Sequence, residues 1–324
     1  MRKTCIMMLS LLCLPAAPAP AGPQEHPAAS FKLSLWRAVF LQGTEAGNAS
    51  GLAMGGDGYL YLVDDRGPTP PDWRMDLPVL YRLPADSLVS LSSRVPPLEA
   101  VGFAQDTRAF ASLAAKAHKR HKFDLEGLAP VGENRFWAVD ERDGLLLELD
   151  IGKGTIDLVA PAETLFQGQD DLGAGGINRS FEGITVIDSQ LFLAHEMMPA
   201  LVVRYHLSEQ GPRPAGRILI EGSLDLTDAD NDGGMLYFLG RMNSTVFKVD
   251  PESGSLVARA DFSEIADSSA FRYSNPMDFF RNSEGLAVKG DFIYVVLDGN
   301  GQATLADPEQ KAPLLLIFNR PRGF

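Results

Sequence analysis

Glutamate stands directly before glycine at three widely separated places, Glu126-Gly127, Glu182-Gly183 and Glu284-Gly285. The surrounding phrase repeats with them, as Phe123-Asp124-Leu125-Glu126-Gly127-Leu128-Ala129, Ser180-Phe181-Glu182-Gly183-Ile184-Thr185-Val186 and Asn282-Ser283-Glu284-Gly285-Leu286-Ala287-Val288. Each phrase runs through a turn into an apolar, aromatic stretch that ends on another acid: Glu141, Glu196 or Asp298. A weaker copy, Ser50-Gly51-Leu52-Ala53, leads to Asp64-Asp65. If such units are set around an axis, their equivalent side chains converge on it. Carboxylates crowded into a partly dehydrated channel cannot all stay ionised unaided. Either some hold protons or a cation neutralises them.

An all-oxygen donor set outside the cytoplasm points to calcium. The candidate ligands are Glu126, Glu182 and Glu284, joined by Asp225 or Asp228 from a unit that lacks the phrase, with Asp65, Glu141 and Asp298 in a second tier. Glu126, Glu182, Glu284, Glu196 and the adjacent His195 are the candidate catalytic groups. Arg66, Arg142 and Arg241, at or beside the second tier, could supply compensating charge instead. Each glutamate also has a purely local reading, in which it accepts backbone N–H bonds and fixes the turn that starts a strand. That reading leaves the second acidic tier unaccounted for.

The elements that would hold these residues are short runs of Val, Ile, Leu, Phe and Tyr between Gly, Asp, Asn and Pro turns, the pattern of an all-β chain. Aligned on the repeated phrase, they form units of about four strands, the size of a propeller blade. Five blades can be counted, and the long inserts at 66–83, 105–122, 160–180 and 265–282 leave room for a sixth. The last unit lacks an outer strand, and an orphan strand at 31–41 would complete it and close the ring. No linker divides the chain, so residues 22–324 form one expected domain.

Residues 1–21 read as an export signal. Arg2 and Lys3 are followed by an apolar stretch at 6–14 and by Ala19-Pro20-Ala21 as a cleavage site. The expected location is the periplasm or the medium. Cys5 and Cys13 both lie inside the leader, leaving the mature chain without thiols or disulfides. The whole chain has 42 acidic and 29 basic side chains, and loss of the leader takes its net charge from −13 to −15. Such a field repels nucleic acid and anionic lipid and attracts cations. No later segment is apolar and long enough to span a membrane.

Asp228-Ala229-Asp230-Asn231-Asp232-Gly233 imitates the start of an EF-hand loop, but Leu239 stands where the bidentate acid should be. There is no Gly-x-Ser-x-Gly elbow, His-Glu-x-x-His pair or P-loop.

Taken in order, Ser50-Gly51-Leu52-Ala53 with Asp64-Asp65-Arg66-Gly67, Asp124-Leu125-Glu126-Gly127-Leu128-Ala129 with Asp140-Glu141, Phe181-Glu182-Gly183-Ile184 with Glu196, and Glu284-Gly285-Leu286-Ala287 with Asp298 resemble the landmarks of the phytase-like propellers, the family called "esterase-like activity of phytase". The resemblance covers nearly all of the mature chain. It implies a calcium-assisted hydrolase acting on a small-molecule ester or phosphoester, with a ring of carboxylates holding the metal. Two departures accompany it. The Asp-Ala-x-Asp-Asp-Pro-Ala-x-Trp box is absent, and no set of Lys and Arg that would grip several phosphates can be assigned. The other reading is a non-catalytic, calcium-stabilised propeller that binds a ligand or an unidentified protein partner.

Overall fold

A computed structural model of the chain describes residues 27–43, 48–64, 75–76, 78–103, 121–169, 172, 181–196, 198–274 and 282–324. The leader, Asp65, Arg66 and most of the four inserts lie outside the described residues.

The described residues build five antiparallel blades in chain order. Blade one contains Ala49–Met54, Tyr59–Asp64, Val79–Pro84 and Glu99–Val101. Blade two contains Leu125–Gly132, Arg135–Asp140, Leu145–Asp150 and Thr155–Ala160. Blade three contains Phe181–Ile187, Gln190–His195, Leu201–Ser208 and Gly211–Leu219. Blade four contains Asp228–Asp232, Met235–Gly240, Thr245–Val249 and Leu256–Asp261. Blade five contains Ser283–Lys289, Phe292–Leu297 and Leu314–Asn319. The first strands of consecutive blades pack side by side in a ring, the last of them against the first. No sixth blade is present among the described residues.

The N-terminal segment expected as one strand at 31–41 is two. Ala29–Lys32 pairs in parallel with the outer strand of blade four, and Ser34–Phe40 pairs antiparallel with Leu314–Asn319 of blade five. The break falls at Leu33, which is buried in the core cluster shared by blades four and five that also holds Phe262, Leu316 and Phe318. Burying it where the blades meet is worth about 2 kcal/mol.

The core is a series of such interfaces. Tyr61 of blade one meets Phe136 of blade two with ring centroids 4.5 Å apart, and Phe262 meets Phe318 at 5.4 Å between blades four and five. Inner strands covered on both faces carry near-continuous apolar runs, as in Leu191-Phe192-Leu193-Ala194, all fully buried. Among the described residues no helix is long and apolar enough to cross a membrane.

Candidate functional site at the mouth of the channel

The glycine of the repeated phrase is where neighbouring blades touch. A Cβ on Gly51 would lie 2.3 Å from the Glu126 carbonyl oxygen, one on Gly127 would lie 2.3 Å from that of Glu182, and one on Gly285 would lie 2.3 Å from that of Ser50. Only a residue without a side chain lets inner strands approach this closely. Gly183 makes the same approach to the backbone of Asp228 and Ala229. Asp228 therefore holds the glycine position in blade four, and Thr227 holds the position filled elsewhere by Ser50, Glu126, Glu182 or Glu284.

In blades one, two, three and five the strand register shifts at the phrase, whereas the inner pair of blade four runs without a shift. The extra residue of such a bulge escapes the pleat and can be aimed elsewhere. Here the shifts fall at Ser50, Glu126, Glu182 and Glu284.

Glu182 is the most confined of them. It is 7% exposed, and among the described residues no group donates a hydrogen bond to its carboxylate. One oxygen each from Glu141, Glu182 and Glu196 lie within 4.8 Å of one another. Burial drives the Glu182 carboxyl well above its ordinary 4.5; Arg241 pulls against the rise, and Glu196, Glu126 and Glu284 add to it. Glu141 is pushed up to about 7 by burial and then by the charges of Glu196, Asp124 and Asp140. Glu126 lies close enough to repel Glu182 and accepts a hydrogen bond from the Ser50 hydroxyl.

The opposite side of the mouth is organised by Arg241, which follows the second strand of blade four. Its Nη2 donates to Glu196 at 2.6 Å, its Nη1 to both oxygens of Glu284 at 3.3 and 3.4 Å, and its Nε to Asp225 at 3.2 Å. Burial works against the guanidinium charge, but Glu284, Glu182, Glu196 and Asp225 outweigh it and hold the proton firmly. Asp225 also accepts the Met242 N–H at 3.0 Å. Burial raises both Asp225 and Glu284, opposed by their bonds to Arg241.

Among the described residues, the other candidates from the sequence are held by contacts of their own. Asp228 is buried at the axis, where it accepts the N–H of Leu286 at 2.7 Å, of Ala229 at 2.8 Å and of Leu52 at 3.1 Å. It stitches three strands together, and its ligand capacity is spent on amides. The choice left open between Asp225 and Asp228 thus falls to Asp225 as the residue at the mouth. Asp298 accepts the Asn300 N–H at 3.0 Å in its own turn and lies beside Tyr273. His195 is buried, with its ring edge-on to Phe181 at 6.3 Å. Asp65 lies outside the described residues. Asp124 and Arg241 join the site without having been singled out as ligands or catalysts. Arg241, expected beside the second tier as compensating charge, occupies blade four's place in that tier and pairs with three carboxylates.

The trio Glu141, Glu182 and Glu196 fits a hard divalent cation. All its donors are carboxylate oxygens, it offers neither thiolate nor imidazole, and Glu182, buried within it, accepts no hydrogen bond from the described residues. A softer metal that favours nitrogen or sulfur would find no matching ligand in it.

Residues 44–301 match the profile of a family described as phytase-like, esterase-like activity of phytase. No curated protein matches the chain. Among solved structures, the glutaminyl cyclase of Myxococcus xanthus superposes with a TM-score of 0.55 at 14% identity, over 90% of this chain and 98% of its own. At that identity the likeness shows the fold alone. A calcium-binding protein, regucalcin, from Agrobacterium tumefaciens gives 0.45 at 14% identity, over 91% of this chain and 97% of its own. The PQQ-bound aldose sugar dehydrogenase of Streptomyces coelicolor gives 0.45 at 11%, over 89% and 98%.

Proposed function

The chain belongs to the phytase-like family, and from that premise we propose that it is a calcium-dependent hydrolase of a phosphate or carboxylate ester, working at the acidic mouth of its propeller. The observation that carries the reading is the Glu141–Glu182–Glu196 trio, with oxygens inside 4.8 Å of one another and a buried Glu182 to which no group among the described residues donates. Those three residues would hold the ion, with Glu126 beside them. A calcium ion held there supplies charge that polarises an ester oxygen and eases ionisation of a water.

The chain's own groups do the rest. Without the ion Glu141 is pushed up to about 7, so calcium binding near neutral pH would displace its proton and hold it as an ionised ligand. Arg241 fixes the rotamers of Glu196, Asp225 and Glu284 through its fork of N–H bonds. Because that fork is engaged, it cannot also clasp a phosphate. Six carboxylates (Glu126, Glu141, Glu182, Glu196, Asp225 and Glu284) facing one such cation repel a polyanion, so the substrate is an ester of low charge rather than a multiply phosphorylated one. Export to the periplasm or medium, where calcium is plentiful, remains part of the proposal and rests on the N-terminal sequence.

A second reading is favoured by Arg241 itself. It already neutralises part of the ring, as expected if the cation serves rigidity and the loops around the mouth bind a ligand or protein partner. Turnover of p-nitrophenyl phosphate and p-nitrophenyl acetate, in calcium and in chelator, separates the two. Calcium-dependent turnover lost in Glu182→Gln supports the hydrolase. A calcium-raised melting temperature without turnover on either ester supports the binding module and rejects the hydrolase.

A further inference from the structure

We propose that Arg241 is a built-in counter-ion that fills the place of a second cation and so limits the mouth to one bound metal. The proposal rests on the reading that the Glu141–Glu182–Glu196 trio takes a cation, but it concerns the other half of the ring.

The position comes from strand register. Gly240 pairs with Thr245 at the end of its strand as His195 pairs with Leu201 and Asp140 with Leu145. The next residue in each case is Arg241, Glu196 or Glu141, so the arginine occupies an acid's place in the second tier. Three carboxylates surround it: Glu196 from blade three, Asp225 from the approach to blade four and Glu284 from blade five. Their oxygens stand 2.6 to 3.4 Å from its three nitrogens, and the side chain is 13% exposed.

Three convergent, largely buried carboxylates are what a hard divalent ion would otherwise collect. Here a monovalent cation on a covalent tether sits at their focus and cannot dissociate. The mouth is thereby divided. The side of blades four and five is neutralised from within, while the side of blades two and three keeps the trio open to a diffusible ion. Glu196 belongs to both halves, so Arg241 also governs how that carboxylate faces the trio.

Replacing the arginine should turn the tethered site into a metal site. The experiment is calcium titration by calorimetry, with thermal melting in chelator and in excess calcium, on the full chain as Arg241→Gln, Arg241→Lys, Glu182→Gln and the double variant Glu182→Gln/Arg241→Gln. The expected stoichiometry is one calcium for wild type, two for Arg241→Gln, one for Arg241→Lys, none for Glu182→Gln and one for the double variant. In chelator Arg241→Gln should melt roughly 10 °C below wild type, because three buried carboxylates lose their partner, and calcium should recover most of the loss.

The proposal is overturned if Arg241→Gln folds and binds no more calcium than wild type. It is also overturned if that variant fails to fold in calcium while Arg241→Lys folds normally, since a divalent ion would then be unable to take the arginine's place. If wild type binds no calcium and Arg241→Gln binds one, the counter-ion proposal stands and the metal trio falls. If wild type binds one that Glu182→Gln abolishes while Arg241→Gln gains none, the trio stands and the counter-ion proposal falls.

Discussion

Replacing Glu141 by glutamine should stabilise the protein at alkaline pH when no divalent ion is present. Folding carries this carboxyl from an ordinary 4.5 to about 7, because it is buried and faces Glu196, Asp124 and Asp140. The folded state therefore binds the proton more tightly than the unfolded chain. The resulting stability is fully present below about 4.5, declines as pH rises, and is lost above about 7. At about 1.4 kcal/mol per tenfold change in proton affinity the full span is about 3 kcal/mol, reduced to about 2 by solvent at the mouth. In a chain of this size that amounts to about 4 °C in melting temperature. Melting should be followed in chelator at half-unit steps from pH 5 to 8.5. Glu141→Gln should match wild type at pH 5 and exceed it by about 4 °C at pH 8, and calcium at pH 8 should raise wild type but not the variant. Glu182 and Asp230 are also raised by burial, so the difference between the two proteins is the quantity to read. Equal melting at pH 8 in chelator would refute the assignment of a costly, ionised Glu141 at the mouth.

Two further substitutions test the scaffold. Gly127→Ala puts a methyl 2.3 Å from the Glu182 carbonyl oxygen and 2.9 Å from the Ile184 nitrogen, and should cost at least about 3 kcal/mol in urea unfolding, because neither backbone atom can yield; a loss under about 1 kcal/mol would mean that the blades have room to spread. Asp228→Ala strips the acceptor from the Leu52, Leu286 and Ala229 amides and should cost about 2–4 kcal/mol in the same assay while leaving the calcium-induced melting shift unchanged. A lost calcium shift would make Asp228 a ligand rather than a stitch.

The blades were legible because each inner strand announces itself with the same phrase, and its glycine has a single physical cause, the backbone of the next blade. What the phrase could not convey was its failure in blade four. There an aspartate holds the glycine position and turns its carboxylate onto neighbouring amides, so Asp228 looks like a ligand in sequence and acts as a brace in the fold. The second acidic tier was visible as a spacing, and Arg241 was legible beside it as compensating charge; what the spacing could not show is that this one side chain binds Glu196, Asp225 and Glu284 at once. His195 stands beside Glu196 in the sequence, and the neighbouring strand sets Phe181 edge-on to its ring. The split of the N-terminal strand was invisible because Leu33 continues the apolar run of 31–41. Only the position of the blade four–five interface decides where the chain must cross.

The central claim is that Glu141, Glu182 and Glu196 together hold one divalent ion. Calorimetric titration of the chelator-treated protein with calcium tests it most directly. One calcium per chain, abolished by Glu182→Gln although that variant keeps its fold, is the predicted result. Undiminished calcium binding by Glu182→Gln, or none by wild type, would contradict it.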